Sequence, residues 1–189
     1  MLILTVLGFI CEISGYVITK FFHKHNAWIF NIYMPLEPLL LGIASIDFVR
    51  GPIYKKVVWP FLLINFAIWI FELYHDSIYI FASFSMICGC FLLVCLYISV
   101  LFKAIIFNNK ILIKEPLFWL CLSIILYFGC DIPYMGVLRY WPRYKSSVHL
   151  TNINQILNFI RYPLVAVSFI LAARQKKEEL NSKMAYVSN

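Results

Sequence analysis

Charged residues are scarce in this chain. Asp, Glu, Lys and Arg make up 13% of its 189 residues, whereas hydrophobic residues make up 62% and aromatic residues 18%. A soluble domain usually carries about 25% charged residues, so this balance excludes that class and predicts an integral membrane protein. Spanning helices of roughly 20 residues would use most of the chain, which leaves no room for an independent soluble domain.

The apolar runs also lack the alternation of apolar and polar residues that transmembrane strands show. The run FLLVCLYISVLF is apolar on all sides. We therefore predict an all-α polytopic membrane protein, a bundle of six transmembrane helices within residues 1–173 and a short basic tail at residues 174–189. The predicted spans are residues 1–22, 27–49, 57–74, 77–102, 117–138 and 152–173. The first lacks a basic start and a small-residue cleavage site, so we interpret it as a retained helix.

The predicted spans place fewer lysine and arginine residues on one side of the membrane than on the other, and this difference predicts the orientation of the chain. With both termini in the cytoplasm, ten basic residues fall on the inner side and five on the outer side. The inner set is Arg50, Lys55, Lys56, Lys103, Lys110, Lys114, Arg174, Lys176, Lys177 and Lys183, and the outer set is Lys20, Lys24, Arg139, Arg143 and Lys145. This excess of inner cations predicts cytoplasmic termini and a place in the bacterial cytoplasmic (inner) membrane.

Enzyme and metal signatures are missing. The sequence has no H-E-x-x-H, no glycine-flanked serine nucleophile and no G-x-G-D aspartate. Cys88 and Cys90 lack metal-site spacing, and the four histidines fall at outer helix ends or loops. Glu72, His75 and Asp76 could bind a cation from outside or form a short solvated turn. We predict no catalytic residue, no metal and no cofactor, which favours a role other than catalysis.

The net charge of +7 is spread over short loops and the tail. No separate basic module could track a phosphate backbone, so we predict no nucleic-acid partner. The tail continues the sixth helix and carries cations suited to anionic headgroups, which makes the lipid bilayer the predicted partner.

Four charged residues nevertheless lie deep in the predicted spans: Glu12, Glu37, Asp131 and Arg161. Each would cost roughly 2.5 to 3.5 kcal/mol at the centre of a lone helix, so they are expected to face one another inside the bundle. At 1.5 Å per residue, Asp131 and Arg161 lie at similar depth and can form an ion pair. Glu37 competes for the same guanidinium. With three carboxylates against one arginine, at least one must be protonated or matched by a cationic partner.

Polar neighbours at helical spacing complete a predicted ligand or ion site. They are Asn31 and Tyr33 near Glu37, Tyr127 one turn before Asp131, and Asn158 one turn before Arg161. The fourth span has no ionisable residue inside it, so we expect it at the periphery, with Ser85 and Gly89 as its contact side.

Prolines stand beside these charges and are expected to open the backbone. Pro35, Pro133 and Pro163 each remove a donor and free a carbonyl one turn earlier, in the first case that of Asn31. Inside a membrane a freed carbonyl must be satisfied by protein or water. Kinked helices that present charges beside open backbone occur in transporters, and also in bundles without such a role.

The stretches NIYMPLEPLLL, FWLCLSIILYFGCDIPY and NINQILNFIRYPLVAVSFI resemble a family of short multi-pass bacterial membrane proteins. Asn31, Tyr33 and Glu37 carry most of this resemblance, which extends over the second, fifth and sixth predicted spans. The resemblance implies a helical membrane fold and no particular activity.

Two functional classes fit these patterns. In the first, the helices of one chain enclose a small ligand, proton or ion site, and the protein is a sensor or carrier. In the second, the chain is a subunit of an oligomeric pore or channel, as a homo-oligomer or with a membrane partner protein, and the charges mainly hold helices together. Charges that face the interior of one protomer favour the first class, and charges along an axis between copies favour the second.

Overall fold

A computed structural model describes residues 2–22, 27–49, 51–76, 78, 80–107, 111–140 and 148–187. Within these ranges every regular element is a helix, as the sequence predicts. The helices are α1 (Leu2–Phe22), α2 (Ala27–Tyr33), α3 (Leu36–Val49), α4 (Pro52–Asp76), α5 (Ser83–Phe107), α6 (Pro116–Tyr140) and α7 (Val148–Val187), with a 3₁₀ turn at Leu112–Lys114.

Five helical segments are long and apolar enough to cross a bilayer. They are Ala27–Val49, Pro52–Asp76, Ser83–Ile106, Pro116–Val137 and Ile156–Met184. The described apolar part of α1, Val6–Ile18, is shorter than a span needs. The helical membrane class is therefore confirmed, whereas the sixth span and the cytoplasmic position of both termini stay predictions.

The second predicted span is broken in its middle. Helix α2 ends at Tyr33, a turn follows at residues 34–35, and α3 begins at Leu36. Pro35 has no N–H to give to the carbonyl of Asn31, and the indole Nε1 of Trp69 on α4 donates to that oxygen at 2.9 Å. The carbonyl that the sequence predicts to be free is thus satisfied by a neighbouring helix. This bond joins the break to α4.

Helix α5 lies at the centre of the described bundle, so its predicted peripheral position is wrong. It packs against α3, α4 and α6, and Cys90, Leu93 and Tyr97 are completely buried. The Tyr97 hydroxyl donates to the carbonyl of Leu41 on α3 at 3.2 Å. A helix without charged residues can pack against lipid or against other helices, so its composition does not predict whether it lies at the periphery or at the centre of the bundle. The contact side was predicted correctly, since Ser85 and Gly89 are buried.

The start of α5 is fixed by Glu72 of α4. Its Oε1 accepts from the backbone N–H of Phe84 at 2.9 Å, and its Oε2 accepts from the N–H of Ser85 at 2.6 Å. The first N–H groups of a helix have no partner within the helix, so a carboxylate there satisfies them and complements the helix dipole. His75 bonds Asp76 instead, at 2.7 Å. Glu72 therefore has a structural role at this helix start.

Three helices come close together at Gly89 of α5. A Cβ atom added to Gly89 would lie 2.9 Å from Cγ of Pro38 on α3 and 3.3 Å from Nδ2 of Asn65 on α4. Only a glycine lets the α5 backbone approach the first turn of α3 this closely. The first turn of α3 also carries Glu37, so this contact helps to place the candidate site.

The substitution Gly89→Ala is expected to destabilise the protein by about 1 to 3 kcal/mol, because the new methyl group meets a rigid proline ring. Gly129→Ala on α6 is the matched control, since a Cβ there meets nothing within 4 Å. It should be neutral or stabilising by about 0.5 to 1 kcal/mol. Unfolding in mixed micelles measures both variants. Equal stability of the two would contradict the close approach of α3 and α5.

Candidate functional site

An ion pair between α7 and α3 forms the centre of the site. Nη2 of Arg161 lies 2.5 Å from Oε1 of Glu37, and their side chains are only 14% and 4% exposed. Glu37 stands in the first turn of α3, directly after the break. A helix N-terminus carries partial positive charge, so this position stabilises a carboxylate inside a membrane. Ser123 Oγ on α6 donates to the backbone carbonyl of Arg161 at 3.2 Å, which fixes α7 against α6.

The predicted ion pair between Asp131 and Arg161 is wrong, because Glu37 is the carboxylate that bonds the guanidinium. Residue counts along a helix estimate depth in the membrane but not the direction of the side chain around the helix axis. The break before α3 turns Glu37 toward α7, and the long arginine side chain reaches it. Asp131 lies nearby on α6 and is completely buried.

Asp131 has an unusual environment for a carboxyl group. The thiol of Cys90 on α5 donates to its Oδ2 at a sulfur to oxygen distance of 3.7 Å. Its Oδ1 is buried and has no hydrogen-bond partner among the residues that the structure describes. A thiol is a weak donor, so this contact compensates little of the cost of burying a charge. Cys90 was not assigned to the site from the sequence, and its position next to Gly89 on the contact side of α5 was the available signal.

Two aromatic rings of α6 support the guanidinium of Arg161. Its Cζ lies 4.2 Å from the ring centroid of Tyr127 and 5.3 Å from that of Phe128. The faces of aromatic rings attract cations, most strongly where water is excluded. Tyr127 was predicted as a site residue. Phe128 was missed, because an apolar residue in a span gives no signal of a polar role.

Tyr33 brings α1 and α2 to the same region. Its hydroxyl lies within coulombic range of Glu37 and Arg161, and a Cβ added to Gly8 on α1 would lie 3.0 Å from that hydroxyl oxygen. The small residue at position 8 therefore lets α1 approach the site. The side chain of Glu12, which the sequence assigns to the site, lies outside the described residues.

The two predicted asparagines have different positions. Nδ2 of Asn31 donates to the carbonyls of Ile78 and Ile80 at 2.8 and 2.7 Å, and its Oδ1 accepts from the N–H of Ala82 at 3.0 Å. Both amide protons of Asn31 thus serve the connection between α4 and α5. Asn158 is buried one turn before Arg161 on α7. The structure therefore groups Tyr33, Glu37, Tyr127, Asp131 and Arg161 and gives Asn31 a different set of partners.

No group of three or more His, Cys, Asp or Glu side chains within the described ranges is arranged to hold a metal ion. Comparison of the chain with protein-family models, curated proteins and solved structures finds no match. The resemblance to a bacterial membrane family stays a prediction, and a function must be argued from the site alone.

The ion pair between Glu37 and Arg161 can be tested by combining substitutions of the two residues and measuring protein stability. Arg161→Leu should lower the folded yield and destabilise the protein by about 3 to 5 kcal/mol, because it leaves the Glu37 carboxylate buried without its partner. Glu37→Gln combined with Arg161→Leu should recover part of that loss. Size-exclusion chromatography in mild detergent, with unfolding in mixed micelles, measures both quantities.

The double change Asp131→Asn with Arg161→Leu is the matched control. It should recover less, since it leaves the buried Glu37 side chain without its partner. Equal recovery by the two double variants, or full stability of Arg161→Leu alone, would be inconsistent with the pair between Glu37 and Arg161.

Proposed function

We propose that this chain is a multi-pass protein of the bacterial cytoplasmic membrane that binds a small cation or a proton at Asp131, beside the ion pair of Glu37 and Arg161. In this proposal it works as a sensor or carrier. The observation that carries the proposal is Asp131, a completely buried acid whose Oδ1 has no hydrogen-bond partner in the described part of the chain. Intramembrane acids with this kind of environment are typical of ion and proton sites.

The charge balance of the site favours a positive ligand. Its described side chains include two carboxylates, Glu37 and Asp131, and one guanidinium, that of Arg161. Since Glu37 already bonds the guanidinium, an ionised Asp131 would leave one negative charge without a partner ion in a region of low polarity. A bound cation or proton cancels this excess, whereas an anionic ligand would increase it.

The position of the charges supports a site within one chain. The ion pair joins α3 and α7 of the same protomer, Tyr127 and Phe128 of α6 lie against its guanidinium, and Cys90 of α5 bonds Asp131. In an oligomeric pore that is lined by these charges, they would face outward toward neighbouring copies. Exposed fractions of 14% for Arg161 and 4% for Glu37 favour a ligand site over that alternative.

The break between α2 and α3 adds a second element of such sites. Transporters often bind ions where a spanning helix is interrupted, because the half-helix ends supply partial charges and unpaired backbone groups. Here the N-terminal turn of α3 carries Glu37, and the carbonyl exposed by Pro35 is held by Trp69. The break thus places a fixed anion at the site without leaving that carbonyl unsatisfied.

Ligand binding predicts a stability that depends on the cation or on pH. We expect the thermal unfolding temperature in lipid nanodiscs to rise with sodium or potassium, compared with choline at equal ionic strength, or with falling pH. A ligand at one hundred times its Kd stabilises by about 2.7 kcal/mol. The substitution Asp131→Asn should abolish this dependence.

Asp47→Asn is the control for this measurement, because Asp47 is an exposed carboxylate at the other end of α3. It should keep the dependence of the wild type. An unfolding temperature that does not respond to sodium, potassium or pH would refute the proposed function. The same response in Asp131→Asn and in the wild type would refute it as well.

A further inference from the structure

Among the described residues, the titratable groups close enough to interact electrostatically with Asp131 come from four helices. They are the Cys90 thiol on α5, the Glu37 carboxylate on α3, the Arg161 guanidinium on α7, and the Tyr134 hydroxyl one turn along α6. Of these groups, only Cys90 makes a hydrogen bond to Asp131 among the described residues. The two charged side chains of this described group, Glu37 and Arg161, are already joined to each other. The surroundings therefore offer an ionised Asp131 little direct compensation.

A metal cation fits this environment poorly. Hard cations such as Ca²⁺ take several oxygen ligands at short distance. The described residues hold no group of three or more His, Cys, Asp or Glu side chains arranged for a metal ion, and no described group donates a hydrogen bond to Oδ1 of Asp131. A proton needs only one oxygen, and it removes the cost of burying the charge. The geometry therefore selects the proton among the positive ligands of the proposed site.

Arg161 has further hydrogen-bond donors that could bond Asp131 when that proton leaves. It bonds Glu37 through Nη2 alone, and a guanidinium carries further N–H donors in a planar fork. Tyr127 lies under the guanidinium at 4.2 Å and belongs to the same helix as Asp131, four residues earlier. The guanidinium therefore lies against α6, the helix that also carries Asp131, and a change of partner can keep it against these aromatic rings.

We infer, as a refinement that rests on the proposed function, that the ligand of Asp131 is a proton and that Arg161 changes partner with it. When Asp131 is protonated, Arg161 pairs with Glu37, as in this structure. When Asp131 releases its proton, the guanidinium moves toward the new carboxylate and loosens its bond to Glu37. The site thus has two arrangements with different links between α3, α6 and α7.

Infrared difference spectroscopy of the full chain in nanodiscs tests this inference without a known ligand. In the wild type, the band of a protonated carboxyl group should be present at acidic pH and disappear at alkaline pH. Asp47→Asn should show the same change, whereas Asp131→Asn should lack this band at every pH. The S–H stretch of Cys90 should shift with the same midpoint, because its acceptor changes charge. Cys90→Ser should remove the shifting S–H band, and Cys121→Ser should retain it, since Cys121 is equally buried.

The change of partner has its own readout. A double-mutant cycle of Glu37→Gln and Arg161→Leu measures the coupling between these two residues in the unfolding of the protein. This coupling should fall above the pH at which the Asp131 carboxyl band disappears, and it should stay constant over the same pH range in the Asp131→Asn background. A coupling that does not change with pH in the wild type would show a guanidinium that does not move, and would overturn the exchange.

The failures of the two proposals can be told apart. If no carboxyl band titrates, the proton is not the ligand and this inference is overturned. Stabilisation by sodium or potassium that is lost in Asp131→Asn would then still support the proposed function. If no band titrates and no cation stabilises the protein, both proposals fail.

Discussion

The pairing of Arg161 with Glu37 is the interaction on which the rest of the site depends. A charge inside a bilayer must be neutralised within the protein, and this chain does so between two helices that are distant in sequence. The pair works because Glu37 lies at the start of a half-helix and Arg161 lies over two aromatic rings of α6. Asp131 receives no such support, which makes it the unusual member of the group.

The polar residues of the described spans fall into two sets with different roles. Asn31, Trp69 and Glu72 satisfy backbone groups where helices break or begin, and their bonds hold α2, α4 and α5 together. Glu37 and Arg161 instead neutralise each other's charge, and Asp131 lies buried near them without an ionic partner of its own among the described residues. A polar residue in a membrane span is therefore not by itself a sign of a ligand site. The hydrogen bonds that it makes decide which role it has.

The sequence predicted the class of fold and most of the residues in the charged group, because both follow from composition and from the cost of buried charge. It did not predict which carboxylate bonds Arg161. That choice depends on how the break at residues 34–35 turns α3, and helical periodicity carries no information across a break. The central place of α5 was missed for a related reason. Its packing depends on the shape of Gly89 and its neighbours, while hydrophobicity alone does not distinguish lipid from protein as a neighbour.

The two carboxylates lie on different helices, so the partner that Arg161 bonds determines which helices it holds together. Glu37 belongs to α3, which follows a break, whereas Asp131 belongs to α6, which packs along α7. An arginine that bonds Glu37 holds α3 against α7, and one that turns to Asp131 releases that hold. Helix α7 continues without interruption to Val187, about 39 Å beyond Arg161 at 1.5 Å per residue. A change of partner by Arg161 would therefore act on the same helix that carries the basic residues Arg174, Lys176 and Lys177.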